Sequence, residues 1–307
     1  MYNRRKFLKH TSAAAVASFV ASNAKAFSIE PKLDHAIGLQ LFTLFNIIDD
    51  EVQGTLKKVA DIGYKEIESA FSKKGGFYGM KPKEFAALLN NLGLSWQSHH
   101  VLGAPFKLPP GAKLPTTPDG KPITIPPMKN LRDNMQQLID DAAEGGIPYL
   151  VCASTPIGSL DEIKNSIDVL NKTGEACKKV NIQFAYHNHD AEFRAVEGQI
   201  PYHMILSQTN ADNVKMELDL AWATKGGADP VELFKAHSGR FPLWHVKDLS
   251  KDMQTIMPVG SGFIDFKRIF DNAEVAGMKH FFVEHDMPAD AFASITESFN
   301  YLKKMKM

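Results

Sequence analysis

From residue 36 onward the chain alternates eight times between a short apolar run and, in most intervals, a longer amphipathic one. No other feature constrains the fold as strongly. The short runs lie at 36–42, 64–69, 94–100, 148–154, 182–188, 213–219, 241–247 and 279–285. They have strand length, and most are rich in β-branched or aromatic residues. The stretches at 51–63, 83–93, 131–146, 160–180, 229–237, 265–277 and 289–304 carry apolar residues at helical spacing. Several end in Gly just past the last apolar position, and 229–237 opens on Asp229–Pro230, which are helix stop and start signals. Strict alternation of strand and helix makes the strands parallel, because each crossover returns the chain in the same direction. Eight such units in residues 27–307 match a closed barrel. A doubly wound open sheet would want a glycine-rich loop after its first strand, and none is present. The expected fold class is therefore α/β, a single (β/α)₈ TIM barrel.

Residues 1–26 stand apart. They carry Arg4, Arg5, Lys6, Lys9 and Lys25 and no acidic residue, followed through "AAAVASFVAS" to a small-residue cleavage site at Ala24–Ala26. The apolar run is too short to span a bilayer comfortably, and the order of parts is that of an export signal. Arg4–Arg5 followed by Phe7–Leu8–Lys9 resembles the twin-arginine signal, which implies a periplasmic location and no stable membrane insertion once the signal is removed. The remaining body has 30 basic and 35 acidic residues, a net charge of −5, which gives no reason to expect nucleic-acid binding. Residues 101–130 form a long connection rich in Pro, Gly and Thr after the third strand. Loops after strands face the active end of such barrels, so a lid is the functional expectation. Cys152 is expected to end a strand and Cys177 to lie near the far end of the following helix. That places them roughly 20 Å apart, beyond disulfide reach, and both read as buried thiols.

The strand ends are unusually polar. They carry Gln40, Glu66 with Glu68, His99 with His100, His187 with His189, Glu217 with Asp219, His245 with Lys247, and Glu284 with Asp286. Buried charge is costly unless it is paired or bound to a cation, so packing alone is a poor explanation. The last four strands each supply one candidate ligand: His187, Asp219, His245 and Glu284. A mixed nitrogen and oxygen set of this kind suits one Mn²⁺, Zn²⁺, Co²⁺ or Fe²⁺ better than Ca²⁺, with Mg²⁺ left open.

These residues also match a known pattern. "IGLQLFT", "GYKEIES", "GLSWQSHH", "LDLAW", "LWHVKD" and "FFVEHD" occur in the order and spacing of the first, second, third, sixth, seventh and eighth strand motifs of a family, with "VGSGFIDF" matching the stretch that follows the seventh. From about residue 36 to the C-terminus the chain resembles the xylose-isomerase-like TIM-barrel superfamily, in particular its sugar phosphate isomerase/epimerase branch. The resemblance implies a divalent metal held by residues of strands five to eight, with Asp219, His245 and Glu284 matching three of the ligands. His187 stands where the family usually carries Glu. Trp222 stands where it often carries a substrate-touching His.

What the resemblance implies chemically is abstraction of a proton next to a carbonyl, with charge developing as an enediolate. Family epimerases use one carboxylate on each sugar face, and His187 removes one of that pair. Glu284 remains as the general base, with His100, His189, Lys247 or Glu68 as the acid, Gln40 as a substrate contact, and Trp222 either stacking on a sugar face or packing at a helix start. The expected activity is a metal-dependent isomerase or epimerase acting on a sugar or keto-sugar. The runner-up is a lyase or dehydratase eliminating from a keto-sugar, keto-inositol or keto-glycoside. An exported sugar-binding protein is the non-enzymatic rival. The partner in each case is a small-molecule sugar, and homo-oligomerisation is left open.

Overall fold

The computed structural model describes residues 35–106 and 128–305. The expected export segment and most of the long loop after the third strand lie outside them. Eight parallel strands close into a barrel in sequential order. They are β1 (Gly38–Gln40), β2 (Glu66–Ser69), β3 (Ser95–Leu102), β4 (Tyr149–Ser154), β5 (Gln183–His187), β6 (Val214–Asp219), β7 (Leu243–Val246) and β8 (His280–Val283). Closure is made where β1 meets β8, with Gly38 opposite Phe282 and Leu39 opposite Val283. A Cβ on Gly38 would lie 2.6 Å from the Phe281 carbonyl oxygen and 2.5 Å from the Phe282 ring. The seam therefore closes only around a residue with no side chain.

Helices fill most intervals between strands, as the periodicity predicts, with two departures. The first short run is strand only over Gly38–Gln40 and then turns into a 3₁₀ segment, Leu41–Leu44. Gln40 causes the turn, its side-chain oxygen accepting the Phe42 N–H at 3.0 Å. The stretch 265–277, read as one helix, is two short ones, Phe266–Phe270 and Ala273–Ala276. A hairpin pairing Asp248–Leu249 with Ile256–Met257 precedes them. Asp248 organises this insertion by accepting backbone N–H groups of Gly260 and Gly262 at 2.9 Å each and of Ile264 at 3.2 Å. Cys152 and Cys177 are both free and buried, and burial pushes each thiol up to about 12. Among the described residues no helix is long and apolar enough to cross a membrane.

The barrel interior is layered. Val151, Ala185, Leu243 and Phe282 form a fully buried apolar layer with Tyr149 packed against it. Strand side chains repeat with period two. The residues two further along are therefore Ala153, His187, His245 and Glu284, at the C-terminal ends of β4, β5, β7 and just past β8. The apolar layer is the floor on which the polar residues stand, and it fixes their height along the barrel axis.

Candidate functional site

The polar layers converge at the C-terminal end of the barrel. Glu68, Glu217, Asp219 and Glu284 are buried carboxylates, and His187, His245 and Lys247 are buried beside them. Asp219 lies opposite His245 in the β6–β7 register, and His187 lies opposite Glu217 in β5–β6.

His245 is the hub. Its Nδ1 is 2.9 Å from Glu284 Oε2 and 4.0 Å from Asp219 Oδ2. Its Nε2 is 2.5 Å from Glu68 Oε1 and 3.2 Å from Glu217 Oε2. One ring thus separates two groups able to hold a metal: Asp219, His245 and Glu284 on one side, and His100, His187, Glu217 and His245 on the other. The four candidate ligands expected from the sequence do not form one set. Asp219, His245 and Glu284 come together, while His187 turns Nδ1 to Glu217 Oε2 at 3.1 Å.

Lys247 lies against the outer group. Its Nζ is 2.8 Å from Glu284, 3.2 Å from Asp219 and 3.0 Å from Asp286, and 4.8 Å from the Trp222 ring centroid. Asp248, the next residue, is turned away to the hairpin loop. Burial works against the ammonium, but Asp219, Glu284 and Asp286 outweigh it and raise its pKa, so Lys247 remains a cation at any ordinary pH. Glu284 is the reciprocal case: burial disfavours its charge, yet Lys247 and His245 hold the carboxyl far below the usual range.

These contacts bear on two of the expected roles, those of Glu68 and Gln40. Glu68 accepts from Gln40 Nε2 at 2.7 Å, from the Ser98 hydroxyl, and faces both His245 and His100. Burial opposes its charge, but His100 and His245 hold it well below the ordinary value. It is an ionised acceptor that orients imidazoles, and has no proton to give. Gln40 is completely buried, with its amide nitrogen on Glu68 and its oxygen on Phe42 N–H. Both ends of its amide are thus engaged within the protein, and it supports Glu68.

The other candidates divide by depth. His100 lies 2.6 Å from Glu217 and 3.2 Å from Glu68. Burial penalises its charge, but the two carboxylates push it up to about 9. His99, its neighbour, faces outward, 2.8 Å from the Ser69 hydroxyl and with its ring tilted against Phe77 at 4.7 Å. His189 lies beyond the end of β5, with its side chain 45% exposed against 3% for His187. It stands 6.1 Å from the Trp222 ring, and the two form a wall at the mouth. Trp222 N–H is tied to Asp219, whose carboxylate caps the helix Leu220–Lys225 at 2.8 Å.

Glu217 has no role assigned by sequence reasoning, although it stands two residues before Asp219 on the same strand face. Its Oε1 is buried and finds no hydrogen-bond partner. Burial and the Glu68 charge push its carboxyl up to about 7, against the pull of His245 and His100. The donor set fits a divalent cation on charge grounds. With Lys247 the fixed cation beside four buried carboxylates, neutrality is approached as imidazoles or Glu217 take up protons, or when a dication binds.

The metal-free protein is consequently expected to lose stability as pH rises from 6.5 to 9. His100 has a folded pKa of about 9 against 6.5, so its contribution is full below 6.5 and is lost through about 9. His245 is raised in the same sense. The depressed His187 and His99 act with the opposite sign, but only below 6.5. Calorimetry of chelator-treated protein should show a melting temperature falling across that window; a flat or rising trend contradicts this charge balance.

The family model for the xylose isomerase-like TIM barrel matches residues 56–305. This chain belongs to that family. Among solved structures, a sugar phosphate isomerase/epimerase from Parabacteroides distasonis ATCC 8503 superposes with a TM-score of 0.71 at 28% identity, over 88% of this chain and 98% of that one. The IOLI protein, solved with a zinc atom, shares the fold at a TM-score of 0.65 and 16% identity, over 89% of this chain and all of that one, 100%. An inosose dehydratase from Geobacillus thermodenitrificans (strain NG80-2) is 23% identical over 168 residues, 49% of this chain and 55% of that protein. The chain spans about half the length of the curated relatives it matches. The xylose isomerase-like relatives thus include both isomerase/epimerases and dehydratases.

Proposed function

We propose that the protein is a divalent-metal-dependent enzyme that removes the proton next to a carbonyl of a sugar or keto-sugar, in the manner of an isomerase or epimerase. The observation that carries this reading is the convergence of Asp219, His245 and Glu284 with the buried ammonium of Lys247 at the C-terminal end of the barrel. A divalent cation held by Asp219, His245 and Glu284 would supply charge stabilisation for vicinal substrate oxygens. Glu284 is the base, ionised at every working pH. Lys247 holds it in place and faces the developing enediolate charge. His189 and Trp222 line the exposed mouth, where a sugar ring packs against the indole and the imidazole reaches a departing or accepting oxygen.

A second reading, β-elimination from a keto-sugar, keto-inositol or keto-glycoside, is favoured by one specific feature. His187 replaces the carboxylate expected on the sugar face opposite Glu284 and is turned to Glu217. With Glu284 as the one base, the reprotonation step of an inversion lacks a carboxylate on the opposite face, whereas an elimination needs one base and one acid. The inosose dehydratases among the relatives fit the same chemistry. Export by the twin-arginine-type segment would bring the enzyme to free sugars and glycosides. Lys247 is already engaged by three carboxylates.

The test is an activity screen of metal-loaded protein on free sugars, keto-sugars and glycosides in deuterated water. Incorporation of solvent deuterium at the carbon next to the carbonyl is expected. An isomeric product supports the first reading, and an unsaturated ketone absorbing in the near ultraviolet supports the second. Sugar binding that survives chelation, with no exchange on any keto-sugar, overturns both in favour of a binding protein.

A further inference from the structure

We propose that His100, His187, Glu217 and His245 form a second, deeper cation site that takes a nitrogen-preferring transition ion such as Zn²⁺, distinct from the Asp219–His245–Glu284 group above it. Glu217 Oε2 lies within 2.6 Å of His100 Nε2, 3.1 Å of His187 Nδ1 and 3.2 Å of His245 Nε2. Three imidazole nitrogens from β3, β5 and β7 thus surround one oxygen from β6, and the four ligating atoms lie within 4.8 Å of one another.

The two groups use opposite edges of His245. The outer group faces Nδ1, with Glu284 at 2.9 Å, and the inner group faces Nε2. Their chemistry differs accordingly. The outer group offers one nitrogen and two carboxylates. The inner group offers three nitrogens and one carboxylate, a set that selects Zn²⁺ or Co²⁺ over Mg²⁺. Ligating atoms held on four different strands of a closed barrel are pre-positioned, so little ordering is needed on binding.

Charge separates the groups further. The outer carboxylates already share the Lys247 ammonium, at 2.8 and 3.2 Å. Among the described residues, every ion-pair partner of Glu217 is an imidazole. Its Oε1 is fully buried and unpaired, a lone-pair site with nothing to accept from in a region where an unmet acceptor is costly. A dication seated among the three rings would compensate Glu217 where, among the described residues, no Lys or Arg pairs with it. His245 Nε2 would then leave Glu68, which keeps Gln40 Nε2 at 2.7 Å and the Ser98 hydroxyl. Second contacts of this kind hold ligand rings in orientation.

The inference is independent of the reaction assigned above, and the experiment separates them. Chelator-treated protein is titrated with Zn²⁺ alone, and zinc X-ray absorption spectra are recorded at one equivalent for the wild-type protein and for Asp219→Asn, His100→Gln and Glu217→Gln. Scattering from three imidazoles is expected in the wild type. Zinc affinity is expected to be kept within about threefold in Asp219→Asn and lost by 10–100-fold or more in His100→Gln and Glu217→Gln. The wild-type spectrum decides the matter even where a variant fails to fold. A single-imidazole, oxygen-rich spectrum, or loss of zinc in Asp219→Asn alone, overturns the inference and leaves the proposed function intact. Three-imidazole zinc in a protein that exchanges no proton on any keto-sugar supports the inference and removes the proposed function.

Discussion

Glu284→Gln is expected to lower kcat by about 10²–10⁴-fold, with the rate of solvent-deuterium incorporation falling in step. The amide keeps the volume and planar shape of the carboxylate, so the barrel interior is not emptied. What it loses is the basic lone pair and the negative charge that Lys247 Nζ meets at 2.8 Å and His245 Nδ1 at 2.9 Å. Exchange and product formation share the deprotonation step, and so must fall together if Glu284 takes the proton. A variant that binds the keto-sugar normally, melts normally and still exchanges deuterium at the wild-type rate would remove Glu284 from the base role. A variant that loses exchange only because it loses the cation is recognised by measuring metal content in parallel.

Much of this site was visible in the sequence because of what a parallel barrel does to strand ends. Charged and imidazole side chains at the C-terminal end of an apolar strand have no inexpensive structural reason to be there. Asp219, His245, Lys247 and Glu284 stand out on that ground, and the structure brings them within contact of one another. The depth of each residue was not visible. The strand β5 ends at His187, so the two-residue alternation that places His187 and His189 on one face stops between them, leaving one buried and the other half exposed. Register also shifts between Ile67 and Glu68 where β2 pairs with β3, which sets how high Glu68 and His100 stand relative to each other. Such shifts leave no periodic trace. Glu217 was detectable: it precedes Asp219 by two residues and so must share its face. Its significance lies in the three rings around it, which come from strands distant in sequence. The hairpin at 248–257 was missed for a different reason, since pairs of two-residue strands carry too little pattern to read.

Lys247→Met is expected to cost the metal-free protein about 3–5 kcal/mol, the usual penalty for removing one partner of a buried ion pair. Methionine fills nearly the same length but brings no charge or donor. Asp219, Glu284 and Asp286 would then face one another, at positions where Lys247 Nζ now stands 3.2, 2.8 and 3.0 Å away. Because a dication can replace the lost charge, adding Mn²⁺ or Zn²⁺ should raise the melting temperature of the variant by more than that of the wild type. The activity that survives should change its pH dependence as well. Lys247 is first among the charges that hold Glu284 below its ordinary range, so its loss moves the acidic limb of the rate profile upward, toward the pH at which the freed carboxyl titrates. Lys247→Arg, which keeps a cation, should leave that limb in place even where bulk lowers the rate. If Lys247 were only a packing element, Lys247→Met would lose stability with no larger gain from metal and no movement of the acidic limb. That outcome would detach the ammonium from the chemistry of Glu284.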